Sequence, residues 1–465
     1  MEEELIFDIE TNGFLENMTV IHCLWTIETT TGQRSDYADK PGYQPISKGI
    51  ERLRKAKRLI GHNILKFDIP AINKIYPGTL PFEIDDLHRY RDTMVLARLM
   101  WPDMKQADAM RRKTPSGAAS FPGKLVGAHK LEAWGYRLKC MKGEYGKDAP
   151  EGVDIWAEWN EEMHAYCGQD VEVTLKLWDH IQRAQPPQPA EDLEHEFAFV
   201  LAKMEANGFC FNEQGAVDLY SDLVKKRSEL ERRLQEIFPP EEVCETFIPK
   251  ANNAKMGYVK GVPFIKRKTV VFNPSSRQQV ARRLIGAGWV PEEFTASGEP
   301  QIDDATLVGI EHPGAQTLAE YFLINKRIGQ IAEGDQAWLR LVRGGKIFGA
   351  INPNGAVTGR CTHSNPNIGQ VPKVGKAFGW ECRSLFSART GWKLVGIDLS
   401  GLELRCLGHY MAAFDGGKYG REVVEGDIHW VNVLAMGLTD EERDDHNNSH
   451  KLYRNNGAKT FISTG

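Results

Sequence analysis

Residues 5–10 read Leu-Ile-Phe-Asp-Ile-Glu, an apolar run of strand length with two acids set two positions apart. Side chains alternate faces along a strand, so Asp8 and Glu10 point to the same side of an otherwise apolar element. From there to about residue 185 strand-like and helix-like patterns alternate, as in an α/β domain. One helical pattern carries Tyr166 and Asp170 at i and i+4 and continues through Val171, Leu175 and Leu177. Pro-Pro-Gln-Pro at 186–189 reads as a linker. A helical run from Glu191 to Asn207 follows, and Gly208 suits its C′ position. Val217, Tyr220, Val224, Leu230, Leu234 and Ile237 recur mostly at spacings of three and four. They predict an amphipathic helix, stopped by Pro239-Pro240. Beyond 340 strand and helix patterns return. Residues 393–405 predict an apolar strand ending at Asp398, then a helix bearing Glu403 and Arg405.

A length of 465 residues sets a prior of roughly three domains. With 41% hydrophobic and 26% charged residues, wholesale disorder, collagen and coiled coil are excluded. No apolar run approaches the roughly 18 residues that span a bilayer, so no membrane partner is expected. The opening Met-Glu-Glu-Glu is acidic where a secretion signal is basic. Eight cysteines form no C-x-x-C pair, which argues against a structural zinc site and for buried thiols in a reducing compartment. The net charge is −5, yet nine Lys/Arg and no acid lie between Thr246 and Arg283. Such a stretch can neutralise phosphates and release their counterions. Its bland reading is a solvated loop.

Asp8 and Glu10 repel each other, and a buried strand tolerates the pair only with a cation between them or with one acid protonated. Two further segments add carboxylates. Gly-His-Asn-Ile-Leu-Lys-Phe-Asp ends at Asp68, and Tyr-Cys-Gly-Gln-Asp ends at Asp170. Asp8, Glu10, Asp68 and Asp170 make a candidate cage for two Mg²⁺ or Mn²⁺ ions, and Tyr166 is placed to orient a water. D-x-E, N-x-x-x-F-D and Y-x-x-x-D in this order resemble the motifs of the DEDDy family of 3′–5′ exonucleases. That resemblance implies a ribonuclease H-like domain over residues 1–185. In the DEDDh variant a histidine base stands five before the last Asp; here that place is Ala165, and His164 reads as structural. Residues 127–145 carry no chemistry by spacing alone, although they resemble the same stretch of phage DNA polymerases.

The second constellation is Thr-Gly-Arg at 358–360, Asn-Pro-Asn-Ile-Gly-Gln-Val-Pro at 365–372, and Asp-Leu-Ser-Gly-Leu-Glu-Leu-Arg at 398–405. An Asp ending a buried strand can hold a metal for phosphoryl transfer; alternatively Asp398 simply caps the next helix. These segments resemble family A DNA polymerases, the last being their motif A. Lys-Arg-Ile-Gly-Gln at 326–330 and Phe-Asn-Pro-Ser-Ser-Arg at 272–277 resemble the podophage replicative branch. The resemblance implies an exonuclease domain, a helical thumb over 190–345 and an α+β palm with the start of the fingers over 346–465. It implies that Asp398 is a polymerase metal ligand and that Glu403 excludes a ribose 2′-hydroxyl. It places Arg360 near the primer end, and His429 and Lys459 at the phosphates of a dNTP. It implies DNA primer-template and single-stranded 3′ ends as substrates, in the cytoplasm of an infected bacterium.

The sequence departs from the family in four ways. The aromatic expected four residues after Lys459 is Ser463, and the family Arg four before it is Asn455. Arg454 stands five before, off the Lys459 face, and so does not read as a second phosphate ligand. No His-Asp-Glu supplies a second palm carboxylate. Thioredoxin-dependent relatives carry a long insertion before Phe-Asn-Pro-Ser-Ser-Arg; here 239–271 is short, so thioredoxin is not carried over. The expectation is therefore a truncated or split polymerase that alone keeps exonuclease but not polymerase activity. A second polypeptide or an interrupted reading frame would account for the rest. A stand-alone nuclease acting on DNA or RNA and a non-catalytic DNA-binding subunit are the competing readings. The incomplete palm is expected to expose apolar surface.

Overall fold

A computed structural model describes residues 3–113, 121–147, 149–150, 152–295 and 297–458. Two compact units divide the chain, Met1–Arg389 and Thr390–Gly465.

The first unit opens with β1 (Glu4–Thr11), β2 (Ile21–Glu28), β3 (Arg34–Tyr37), α1 (Ile46–Lys55), β4 (Arg58–Gly61), α2 (Asp68–Ile75) and β5 (Tyr90–Asp92). The five strands form one sheet in the order β3-β2-β1-β4-β5. The first three run antiparallel, whereas β4 lies parallel to both β1 and β5. Helices α3 (Thr93–Met100), α4 (Lys105–Lys113), α5 (Leu131–Leu138), α6 (Glu161–Ala184) and α7 (Gln188–Asn207) follow. Alternation along β1 sends Leu5, Phe7 and Ile9 into a core shared with α1 and α2. Ile6 goes the other way, into a core with Leu96, Trp134, Val171 and Leu177.

Pro187 begins α7 as its cap, and Gly208 ends it with φ +60°. This helix does not start a separate body, as the linker reading implied. Ala198 and Phe199 sit in the β1 core. Buried Arg91 pairs with Glu191 at 3.1 Å and with Asp192 at 3.1 Å, and the Asp92 N–H donates to His195 Nε2 at 2.8 Å.

A second core follows, built on β6 (Phe209–Phe211), α8 (Glu213–Ile237), α9 (Arg277–Gly286), α10 (Asp304–Val308) and α11 (Pro313–Ile328); β7 (Glu241–Phe247) and β8 (Phe264–Val270) come between α8 and α9 in the chain and add no side chain to it. The α8 stripe is Ala216, Leu223, Leu230 and Leu234; Val217 lies on the solvent side. Among the described residues β7 and β8 pair only with each other, as an antiparallel hairpin. After α12 (Trp338–Leu341) come β9 (Lys346–Ile347), β10 (Ala350–Asn352), β11 (Thr362–Ser364), α13 (Gly379–Arg383) and β12 (Phe386–Ser387). Ile347, Cys382 and Leu385 are buried with the α8 and α11 side chains, so residues 346–389 pack with the region read as thumb.

The second unit holds α14 (Leu402–Asp415), α15 (Lys418–Glu425), α16 (Ile428–Ala435) and α17 (Asn448–Leu452). The strand expected before Asp398 does not form: residues 392–399 have no regular structure. A strand persists only where neighbours pair its backbone. Among the described residues none pairs here, and Val395, Ile397 and Leu399 are 82%, 87% and 64% exposed. No helix among the described residues is long and apolar enough to cross a membrane.

Candidate active site

Asp8 and Glu10 stand on β1 on the side that Ile6 shares with α6. That helix delivers Cys167 against the strand, its Sγ 3.4 Å from the Asp8 carbonyl oxygen and 3.7 Å from Asp8 Oδ2. The close crossing needs a small residue next along. A Cβ at Gly168 would come within 3.0 Å of the Trp25 ring on β2. Ligating atoms of Asp8, Glu10 and Cys167 all lie within 4.8 Å of one another.

Asp68 begins α2 and Asp170 lies one turn beyond Tyr166; both are buried. Burial pushes the Asp8 carboxyl well above the usual carboxylate range, and Asp68, Glu10 and Asp170 push it further. Burial likewise raises Glu10, with Asp170 and Asp68 adding to it. Burial lifts Asp68 to about 7 and Asp170 to about 6. The structure thus brings the four predicted carboxylates, from three segments, close enough to resist ionising together.

Tyr166 is half-buried beside a cleft of about 620 Å³ lined by Tyr145, Ile155, Asn160, Ala165 and Gln169. Burial, followed by the charge of Asp170, lifts its hydroxyl to about 12, so it stays protonated near neutral pH. His164 is structural: its Nε2 lies 2.9 Å from Asp36 Oδ2 and its ring packs on Tyr43 and Trp25.

Three residues here were missed in the sequence. Lys142 makes an ion pair with Asp170 Oδ2, and its Nζ lies 4.8 Å from the Tyr166 ring centre. It sits in the 139–147 loop, whose spacing carried no signal. Gln169 Nε2 donates to the Met141 carbonyl at 2.7 Å to hold that loop down. A Cβ at Gly143 would approach Tyr166 Cδ2 to 2.7 Å, so the loop fits only with glycine there. Cys167 was passed over inside its motif. Asp92, the third, was readable only as a polar residue just before a helix.

The second constellation is placed as follows. Arg360 is exposed in a turn of the first unit, where its carbonyl accepts from the Ala356 N–H at 3.0 Å. Asp398 is exposed in the irregular segment before α14, and Glu403 is exposed in the first turn of that helix. His429 is half-buried at the start of α16, its N–H donating to Asp427 Oδ1 at 3.2 Å. Lys459 lies outside the described residues. Arg454 pairs with Asp427, with Nε 2.9 Å from Oδ2.

A family model described as DNA polymerase family A matches residues 263–429. The DNA-directed DNA polymerase of Enterobacteria phage T3 is 38% identical, over 98% of this chain and 74% of its own length. The chain belongs to the family A DNA polymerases. The DNA-directed DNA polymerase of Escherichia phage T7 is 37% identical over the same shares, 98% and 74%. The POL domain of Pol1 from M. smegmatis, solved with DNA primer-template and dNTP, superposes with a TM-score of 0.63. That match covers all of this chain and 68% of the other at 14% identity, a likeness of fold. The alignment to the T3 enzyme runs over 546 positions, so that relative carries stretches with no counterpart in this 465-residue family A polymerase.

In this polymerase the donors at the β1 site suit a hard divalent ion. Asp170 Oδ1 is buried with no hydrogen-bond partner among the described residues. Burial pushes the Cys167 thiol up, which favours its neutral form, and the carboxylate oxygens are the hard donors of the set.

Proposed function

We propose that this chain acts in phage DNA replication, in the cytoplasm of an infected bacterium, as a family A polymerase with a two-metal 3′–5′ proofreading exonuclease in its first unit. One observation carries the exonuclease reading: Asp8 and Glu10 on β1 share their site with Asp68 and Asp170 from two other segments. The mixed sheet in the order β3-β2-β1-β4-β5 supports a ribonuclease H-like domain. Two Mg²⁺ or Mn²⁺ ions held by the four carboxylates would supply an activated water and neutralise the leaving 3′ oxygen. The protein's own part is positional. Tyr166 offers a neutral hydroxyl to orient the attacking water, and its cleft receives the terminal nucleotide of a single strand.

The polymerase site on this reading uses Asp398 as metal ligand, Glu403 as the 2′-hydroxyl gate, Arg360 near the primer end, and His429 and Lys459 at the dNTP phosphates. Residues 1–465 alone are expected to trim 3′ ends without extending a primer. They offer Asp398 in an exposed segment without regular structure, and their sequence holds no His-Asp-Glu. A single assay tests both halves. The chain is incubated with Mg²⁺ and a labelled primer-template, with and without dNTPs. Shortening of the primer that disappears in Asp8→Ala/Glu10→Ala is expected, with no lengthening. Equal trimming by the double variant would dismiss the metal assignment, and template-directed lengthening would dismiss the claim about the palm.

A further inference from the structure

Asp170 is unevenly satisfied. Its Oδ2 is paired with the Lys142 ammonium, while Oδ1 is buried without a partner among the described residues. Lys142 is itself largely enclosed, with a side chain 23% exposed, and lies over the Tyr166 ring at 4.8 Å. Its position is fixed by the loop that Gln169 and Gly143 fasten to α6. An ammonium is therefore stationed against a carboxylate of the cage and over the Tyr166 ring. Charge counting gives it a use. Four carboxylates and two divalent ions cancel. A phosphodiester entering that neutral site brings one uncompensated negative charge, and Lys142 is the nearest cation to answer it.

We propose that Lys142 is the resident counter-ion of this site, competing with a divalent ion for Asp170 when no DNA is bound. Once the ions have loaded, it compensates the phosphodiester. The inference rests on the exonuclease reading above. Because the ammonium and the metal contend for one carboxylate, removing the charge strengthens metal binding and weakens turnover. A residue serving only to fasten the loop would lower both.

The test uses the full chain without DNA and titrates it with Mn²⁺, following free Mn²⁺ by its paramagnetic resonance signal. Lys142→Gln and Lys142→Met are expected to bind Mn²⁺ at least about tenfold more tightly than the parent at pH 7. Lys142→Arg keeps the charge and stays near the parent. Single-strand trimming at saturating Mg²⁺ falls in both neutral variants. Metal-free thermal melts confirm that each variant is folded, and the arginine variant supports the comparison if a neutral one is not. Unchanged or weaker Mn²⁺ affinity in the folded neutral variants overturns the proposal. Mn²⁺ binding that is indifferent to Asp8→Ala/Glu10→Ala overturns instead the reading on which it rests.

Discussion

Asp92 accepts backbone N–H groups from Asn63 at 2.9 Å, Leu65 at 3.2 Å and Met94 at 2.9 Å, although no catalytic motif includes it. Two of these donors lie in the turn that leads from β4 into α2 and so to Asp68. Asn63 adopts φ +70° there, a left-handed conformation that the buried carboxylate helps to hold. Asp92→Ala would leave buried donors without acceptors, at a cost of about 1–3 kcal/mol for each group that water cannot reach. We expect a lowered denaturant midpoint, together with a loss of nuclease activity larger than the unfolded fraction explains, because Asp68 drifts. Asp92→Asn keeps one acceptor oxygen and should fall between. Parental trimming by a folded Asp92→Ala protein would show that the turn needs no such anchor.

At the scale of elements, the β7–β8 hairpin corrects the count of free cations in 246–283. Arg277 donates to the Ile302 carbonyl at 2.8 Å, and Arg282 and Arg283 pair with Glu241, just outside the stretch. The remaining six, Lys250, Lys255, Lys260, Lys266, Arg267 and Lys268, are exposed on the hairpin and its connection. If they grip duplex phosphates, Lys266→Gln/Arg267→Gln/Lys268→Gln should flatten the slope of log affinity against log salt by roughly 2–3. Melting and single-strand trimming should stay parental, since the three side chains are solvated. An unchanged slope on duplex DNA would mean that the hairpin does not touch the backbone. The elements differ in how far the sequence revealed them. Strand β1 was legible because its alternation is local, and α6 because its i, i+4 pair sits within an apolar period. The helix α8 was legible in extent and in face, since Tyr220, Val224, Leu230, Leu234 and Ile237 all pack into the core; only Val217 of the predicted stripe lies toward solvent. The 393–398 strand failed because apolar composition states a preference, while pairing depends on partners elsewhere. Lys142 was invisible because its meaning lies in a contact across 28 residues of chain.

For the whole molecule, the cage couples folding to protons. Asp68 at about 7, Asp170 at about 6, and Asp8 and Glu10 raised well above their usual values hold protons that an unfolded chain releases near pH 4. At these four groups the metal-free folded state therefore binds more protons than the unfolded one from about pH 4 up to neutrality. Stability conferred by these groups is complete below the unfolded values and drains away as pH climbs through the folded ones. Three histidines, His195 buried and His62 and His129 half-buried, pull the other way lower down. Burial lowers His62 to about 3, and His129 and His195 to about 4. Unfolding therefore takes up protons there, and acid destabilises below about 6.5. The two effects oppose each other between roughly pH 4 and 6.5; above that window these three histidines no longer contribute, and Cys23, lowered to about 6 chiefly by its hydrogen bond with Cys167, takes over the opposing part. Without metal, the melting temperature should accordingly fall from pH 6.5 to 8.5. Saturating Mg²⁺ should remove or reverse that fall, because the ion binds the deprotonated cage and is favoured as protons leave. Asp8→Asn/Glu10→Gln isolates the cage from His164, whose pKa is also raised, and should flatten the metal-free profile. A parental slope in that variant would place the titrating groups outside the β1 site. The Mg²⁺-dependent rise at pH 8 would then have to come from some other ligand set.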